Sequence, residues 1–204
     1  MPPTHETYMR YRLEAMVADS KKNWQKADSF YETAAGLTTS PAGVYNNWGF
    51  SKLSRGDAKG AEKLFGEALR YDPSLFTSKN NLVLARANQH KYDMPVLNMT
   101  QTERAMLLYT AALAAIKQGD VTIGKGLLQD AVDTHPQHFE EASRALAEAG
   151  SAVVLNGLGA AAEINRTKDQ LAAVQGNANI AIDSGRKGYI LYLGLNQKNP
   201  NLAK

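Results

Sequence analysis

Apolar and small residues recur at helical spacing through most of the first 150 positions. Within 42–75, positions i, i+3, i+4 and i+8 of one helical face are occupied by Tyr45, Trp48, Gly49 and Leu53. A second face of the same period holds Ala61, Leu64, Phe65, Ala68 and Leu69. Gly56 ends the first helix and Pro73 ends the second. The pattern predicts a helix–turn–helix unit in which Gly49 allows close approach and Phe65 fills the neighbouring gap.

This pattern repeats along the chain with a shift of about 34 residues, which we call the repeat period. Asn46-Asn47 is repeated as Asn80-Asn81. Five residues of the first unit have a residue of the same type or size 34 positions later: Tyr11, Ala15, Ala27, Tyr31 and Ala34 correspond in that order to Tyr45, Gly49, Ala61, Phe65 and Ala68. A further copy ends at Pro136. Because Pro136 lies five positions short of two periods after Pro73, one unit is shortened. We expect the shortening at Lys91–Thr100, where Pro95 favours extended chain in place of a second helix.

These spacings predict eight helices and one irregular linker. The helices are expected near 5–20, 24–38, 42–55, 58–71, 75–90, 102–118, 121–134 and 137–149, with the linker at 91–101. Four large residues have the spacing of a packing face and are predicted to lie in the core: Tyr31, Trp48, Phe65 and Leu128.

With these features the chain resembles the tetratricopeptide repeat (TPR) family, with repeats near 8–41, 42–75, 76–104 (incomplete) and 105–138. It is further similar to the TadD family, TPR lipoproteins of tight adherence (Flp/Tad) pilus assembly. That likeness rests on Asn46–Phe50, Lys79–Arg86, Met94–Val96 leading to Met99–Ala105, and Ala115–Asp120. The resemblance implies an all-α, right-handed superhelical solenoid over 5–150, followed by a tail or cap at 151–204 of unknown role.

In such a solenoid the first helix of each pair lines a concave face that receives a peptide or helix of a partner protein. Recurring asparagine amides offer donors and acceptors to a peptide backbone, and apolar neighbours add affinity. The predicted contact residues are Asn46, Asn47, Phe50, Leu53, Asn80, Asn81, Leu84, Asn88, Tyr109, Leu113, Ile116 and Lys117. A second interpretation of the asparagines stays open, in which Asn47 and Asn81 tie one helix to the next.

The linker also has two interpretations. Four apolar residues, Met94, Val96, Leu97 and Met99, either pack back into the gap left by the missing helix or form a contact for a partner.

The tail is expected to hold a capping helix at 156–175 and a short strand at Tyr189–Leu193. The strand either joins a partner's sheet or folds over the cap.

Composition removes several kinds of chemistry. The 204 residues include no cysteine, which excludes disulfides, thiolate zinc sites, iron–sulfur clusters and a cysteine nucleophile. The net charge of +3 is too small for a nucleic-acid-binding stripe, and no apolar run is long enough to span a membrane. Apolar residues make up 44% of the chain, enough for a folded core.

Candidate enzyme motifs are weak. His135 and His138 straddle a helix start, so we expect a surface or capping role for them and no metal site. Gly124-x-Gly126 and Gly157-x-Gly159 lack the third glycine and preceding strand of a dinucleotide site. The charged run Arg55, Asp57, Lys59, Glu62, Lys63 and Glu67 is predicted to be a solvated helix face. We therefore expect a protein without enzymatic activity or cofactor.

The hypothesis from the sequence is a scaffold that binds other proteins, with pilus assembly or secretin components as the partners implied by the resemblance. Alternatives are a generic cytosolic TPR co-factor and, far behind, an enzyme with its activity in the tail. A TadD-like protein is expected at the cell envelope, on the periplasmic side and associated with the outer membrane, with a lipid anchor if a longer precursor exists. If Met1 is the native start, we expect the cytoplasm.

Overall fold

The computed structural model describes residues 5–157, with side chains from 7 to 150, and this part of the chain is all helical. Between these limits lie eight helices and no strand: α1 (His5–Ser20), α2 (Trp24–Gly36), α3 (Ala42–Ser54), α4 (Ala58–Tyr71), α5 (Phe76–Ala87), α6 (Gln101–Lys117), α7 (Val121–Thr134) and α8 (Glu140–Gly157). The predicted all-α class and the irregular linker after α5 are confirmed. The tail helix and the strand at Tyr189–Leu193 fall outside the described residues, apart from the end of α8.

Three predicted boundaries were wrong. The eighth helix runs on to Gly157 and does not end at 149. The fifth helix ends at Ala87 and not near 90, because Gln118 Nε2 donates to the Ala87 carbonyl at 2.8 Å and His90 adopts a left-handed backbone. The eighth helix begins at Glu140 and not at 137, because the His135 ring packs on Phe139 and its Nδ1 lies 2.9 Å from the Gln137 carbonyl oxygen. These contacts hold residues 135–139 as a turn.

One turn geometry recurs at the repeat period. Lys22, Gly56 and His90 follow one another at that period and all have positive φ angles, of 55°, 88° and 57°. The amide after each donates to the carbonyl five positions earlier, as does Asp120 after Gly119: Asn23 to Ala18, Asp57 to Lys52, Lys91 to Arg86, and Asp120 to Ala115. Gly119 comes five positions too early for a full period after His90, so the predicted shortening lies between these two turns.

Contacts divide the chain into two compact units, and the division falls inside α5 after Ala85. In the N-terminal unit, α1 packs on α2, α2 on α3, and α3 on α4. Its core includes Tyr31, with Trp48 stacked on that ring at a centroid distance of 6.4 Å. In the second unit α6 packs on α7 and α7 on α8 around Leu128. Packing of helices on their chain neighbours, as in these five pairs, is what a helical repeat requires.

Two glycines permit the closest helix contacts. A Cβ on Gly49 would lie 2.7 Å from the Phe65 ring, so α3 meets α4 only because position 49 has no side chain. This confirms the predicted fit of Phe65 beside Gly49. In the second unit a Cβ on Gly124 would lie 2.9 Å from the Ala112 carbonyl oxygen. No helix in the described part is long and apolar enough to cross a membrane.

Candidate protein-binding face

The predicted asparagines lie between the first helices of the N-terminal unit. Asn46 on α3 accepts hydrogen bonds at Oδ1 from Ser78 Oγ at 2.9 Å and from Asn81 Nδ2 at 3.2 Å, and all three residues are buried. Asn47 and Asn80 are buried as well. The contacts of Asn46 and Asn81 therefore join α3 to α5. For Asn81 this is the helix-tying role that the sequence left open for Asn47 and Asn81.

Asn47 and Asn81 each carry a buried amide atom that is not satisfied. Asn47 Nδ2 and Asn81 Oδ1 are buried and have no hydrogen-bond partner among the described residues. A buried donor or acceptor without a partner costs roughly 1–3 kcal/mol. Burial also keeps both atoms from direct contact with a ligand on the surface, so accessible contact residues must be sought beside them.

A row of apolar residues accompanies the asparagines at the same register. Met16, Phe50 and Leu84 follow one another at the repeat period, lie on α1, α3 and α5, and are each half-buried. Leu53, one turn after Phe50, is also half-buried. Met16 was missed by the sequence analysis, although its position one period before Phe50 would have identified it. These four residues, which we call the first-helix row, are apolar side chains left partly open to solvent.

Beside the row, a polar network links the first three helices. Asp28 on α2 accepts from Trp48 Nε1 at 2.6 Å, from Lys52 Nζ at 3.1 Å and from Arg55 at 2.6 Å. The Arg55 guanidinium also lies over the Trp24 ring, 5.5 Å from its centroid. Arg55 was therefore wrongly assigned to a solvated face, because its partners lie on α2, far away in sequence.

A second carboxylate of this network has a different environment. Asp19 on α1 accepts from Tyr31 OH at 2.7 Å and from Ser51 Oγ at 2.6 Å. Burial raises the Asp19 pKa above its ordinary value and outweighs those two hydrogen bonds, which lower it. Burial also acts to raise the Asp28 pKa, but the hydrogen bonds from Arg55, Trp48 and Lys52 outweigh it and the net pKa is lowered. Sequence patterns missed both aspartates.

The predicted residues of the second unit are placed unevenly. Tyr109 is buried against Phe139, with ring centroids 5.4 Å apart, and burial raises its pKa to about 12. Leu113 and Ile116 are half-buried against the core of that unit. Lys117 and Asn88 are exposed. Among these residues, Lys117 and Asn88 are the most accessible to a partner.

Side chains at the start of the linker bind to the residue that precedes α7. Tyr92 OH donates to Asp120 Oδ2 at 2.6 Å, and His90 Nδ1 lies 2.8 Å from the same oxygen. Met94 packs against the core of the second unit, as the self-packing interpretation predicts. Val96 instead is fully exposed, so the partner-contact interpretation stays open for that residue.

Metal-ligating side chains do not converge in the part of the chain described. No group of three or more His, Asp or Glu residues there is arranged to hold an ion. His135 packs on the Phe139 ring and His138 is exposed.

No protein-family model and no curated protein matches the chain.

Proposed function

We propose that this protein is a TPR-like scaffold that binds a segment of another protein along the first-helix row. The observation that supports this is the recurrence of half-buried apolar side chains at one register, Met16, Phe50 and Leu84. Repeat proteins bind extended partners through side chains at equivalent positions of successive repeats. The recurrence of the left-handed turns at the same period adds support for the TPR likeness.

The chemistry of the row favours an apolar or amphipathic peptide. Each of its side chains offers remaining apolar surface, and burial of that surface yields about 25 cal/mol per Å². The asparagines beneath the row hold the first helices together, so they position the row. In this proposal they act without touching the ligand.

We further propose that the partner belongs to the assembly apparatus of Flp/Tad adhesive pili, with the secretin as the first candidate, and that the protein acts at the cell envelope. This rests on the sequence similarity around Asn46–Phe50 and Lys79–Arg86. The generic cytosolic co-factor is the competing function, and binding to secretin distinguishes the two.

The test is binding of purified secretin to the wild-type chain and to the double variant Phe50→Ala, Leu84→Ala. We expect the double variant to weaken binding at least ~10-fold, because anchor side chains of an interface contribute on the order of 1–2 kcal/mol each. Ile123→Ala is the matched control, since Ile123 is an exposed apolar residue on α7, outside the row. Circular dichroism checks that each variant keeps its helices.

Two results would count against the proposal in different ways. If the double variant binds secretin as tightly as the wild type, the first-helix row is not the contact surface. If no secretin or pilus-assembly component binds the wild-type chain, the assignment to pilus assembly fails. The asparagines are poor test positions, because Asn46→Ala would remove the buried acceptor of Ser78 and Asn81 and destabilise the fold.

A further inference from the structure

Helix α1 exposes an apolar stripe on the side away from its own core. Leu13 and Val17 lie one turn apart and are 55% and 52% exposed, and the half-buried Met9 lies one turn before Leu13 on the same face. The opposite side of α1 packs on α2 through Ala15 and Ala18. Large apolar residues grouped on one exposed helical face mark an interaction surface more often than single ones do.

The positions one and two repeat periods later show how the same face of α3 and α5 is packed. The positions equivalent to Leu13 are Asn47 and Asn81, and those equivalent to Val17 are Ser51 and Ala85; all four are buried. Ser51 donates to Asp19 on α1, and Asn81 donates to Asn46 on α3. In α3 and α5 this face is thus turned to the preceding first helix. In α1, the first helix of the described residues, it has no such neighbour.

At these positions the exposed residues are apolar and the buried ones are mostly polar, the reverse of the usual distribution. The register is polar or small where the preceding first helix covers it, in α3 and α5, and large and apolar where it is open, in α1. A solvent-facing end of a repeat array needs a polar outer face. The apolar stripe on α1 therefore fits a face that is covered in the working protein.

The charges beside the stripe are self-complementary. Arg10 and Glu14 lie on the same side of Leu13, and within one chain they form an exposed pair at 2.9 Å. In an antiparallel pairing about an axis at Leu13, Arg10 lies about 3 Å along the helix axis from the level of Glu14 of the other copy, given a rise of about 1.5 Å per residue, and the two Glu14 residues are about as far apart in level. At about 3.6 residues per turn Arg10 lies about 60° around the helix from Leu13 and Glu14 about 100°, so Arg10 faces the other copy more directly and reaches its Glu14 more closely than the two Glu14 side chains reach each other. Opposite charges then meet on both sides of the axis.

We propose that α1 is a homodimerisation helix, whose Met9, Leu13 and Val17 face packs antiparallel against the same face of a second copy about a two-fold axis at Leu13. A two-fold interface brings one patch against itself, so the contact between Arg10 of one copy and Glu14 of the other is made twice. This inference does not rest on the proposed binding to secretin, but Met16 of the first-helix row lies one turn from Leu13 and borders the dimer face. One helix pair buries less than a standard interface, so we expect a dissociation constant on the order of micromolar.

Sedimentation of the full chain over about 1–100 µM is the first test. The wild type should form a dimer with rising concentration, and Leu13→Glu should shift it to a monomer while circular dichroism stays unchanged. Ile123→Glu, a matched change on another exposed apolar residue, should leave the dimer intact. A wild type that stays monomeric, including one in which residues 158–204 cover Leu13, overturns the proposal, and so does a dimer that Leu13→Glu leaves intact.

Charge reversal tests the orientation. Arg10→Glu alone and Glu14→Arg alone should each raise the dimer dissociation constant ~10-fold, because like charges then face each other across the axis. The double reversal should restore most of the affinity. If the double variant is as weak as either single one, the antiparallel register is wrong.

The absence of cysteine from the sequence allows a direct geometric test. Leu13→Cys introduces a single thiol next to the proposed axis, where its Cα should lie within disulfide distance of its own copy, about 4.4–6.8 Å. Mild oxidation should give a covalent dimer in high yield, whereas Ile123→Cys should not. Equal yields from the two variants would mean random collision and would contradict the two-fold pairing.

Discussion

Gly49 and Gly66 are glycines in neighbouring helices with opposite surroundings. A methyl group at Gly49 would press on the Phe65 ring, whereas one at Gly66 would meet no atom within 4 Å. We therefore expect Gly49→Ala to lower the free energy of unfolding by about 1–3 kcal/mol through overpacking. Gly66→Ala should raise it by about 0.5–1 kcal/mol, because alanine loses less backbone entropy in a helix interior.

Urea unfolding of the two variants beside the wild type measures both effects, and the opposite signs make each variant the control for the other. Destabilisation by both would mean that α4 has no space at Gly66. The Gly49 contact was predictable from sequence, because it depends on helical spacing and on side-chain size. The position of Arg55 was not, because its partners Asp28 and Trp24 lie on another helix and no local pattern brings them together.

At the scale of elements, the turn that joins the first and second helix of a repeat has a fixed backbone geometry. Gly56 adopts its left-handed conformation at little cost, whereas Lys22 holds the same conformation with a side chain. A left-handed residue other than glycine costs roughly 1–2 kcal/mol. We expect Lys22→Gly to stabilise the protein by up to ~1 kcal/mol and Gly56→Ala to destabilise it by about 1 kcal/mol, as measured by chemical unfolding.

Lys22 suits this test because it is exposed and its backbone amide donates within the turn, which the substitution preserves. His90 occupies the third equivalent turn but also contacts Asp120, so His90→Gly would mix two effects. A Lys22→Gly variant less stable than the wild type would contradict the assignment of strain to this turn.

The attachment of the linker gives a second prediction for an element. Asp120 precedes α7 at the cap position, yet its side chain makes no cap hydrogen bond and accepts instead from Tyr92. Tyr92→Phe removes that donor, so we expect amide hydrogen exchange in 91–96 to become several-fold faster. Val96→Ala, at a fully exposed side chain, is the control and should leave exchange unchanged. Unchanged exchange in Tyr92→Phe would show that Met94 packing alone holds the linker.

Element positions were predicted well because they depend on local signals. Asn23 and Asp57 cap α2 and α4 with hydrogen bonds to the amides of Lys26 and Gly60, and caps of this kind are visible in sequence. Asp120 has the same sequence context as Asp57, but Tyr92 and His90 compete for its carboxylate. The same holds for the candidate site. The repeat period that relates the residues of the first-helix row can be read from the sequence, whereas the burial of the asparagines depends on which helix packs against them.

At the scale of the whole molecule, stability has two opposing responses to acid. The Asp28 pKa is lowered in the folded protein, so its contribution is present above the ordinary value of 3.8 and is lost as pH falls through the folded pKa. The Asp19 pKa is raised, so the folded state takes up a proton more readily than the unfolded chain. Its stabilising contribution is present below the ordinary value of 3.8 and is lost as pH rises through the folded pKa.

Asparagine variants separate the two responses. Asp28→Asn leaves Lys52 and Arg55 partly buried without their counter-ion, and we expect a loss of about 1–3 kcal/mol at neutral pH. That loss should shrink as pH falls from 3.8 through the lower folded pKa of Asp28, below which the wild-type carboxyl is neutral as well. Asp19→Asn keeps a neutral partner for the Tyr31 and Ser51 hydroxyls, because an amide both accepts and donates.

For Asp19→Asn we therefore expect a free energy of unfolding at neutral pH equal to or above that of the wild type. As pH falls through the folded pKa of Asp19, the free energy of unfolding of the wild type should rise relative to that of the variant. Urea unfolding from about pH 3 to pH 7 measures both curves. The two differences from wild type must change in opposite directions with pH, because one carboxylate is held by cations and the other is buried among hydroxyls. Parallel curves would mean that Asp19 is as well solvated in the folded protein as in the unfolded chain.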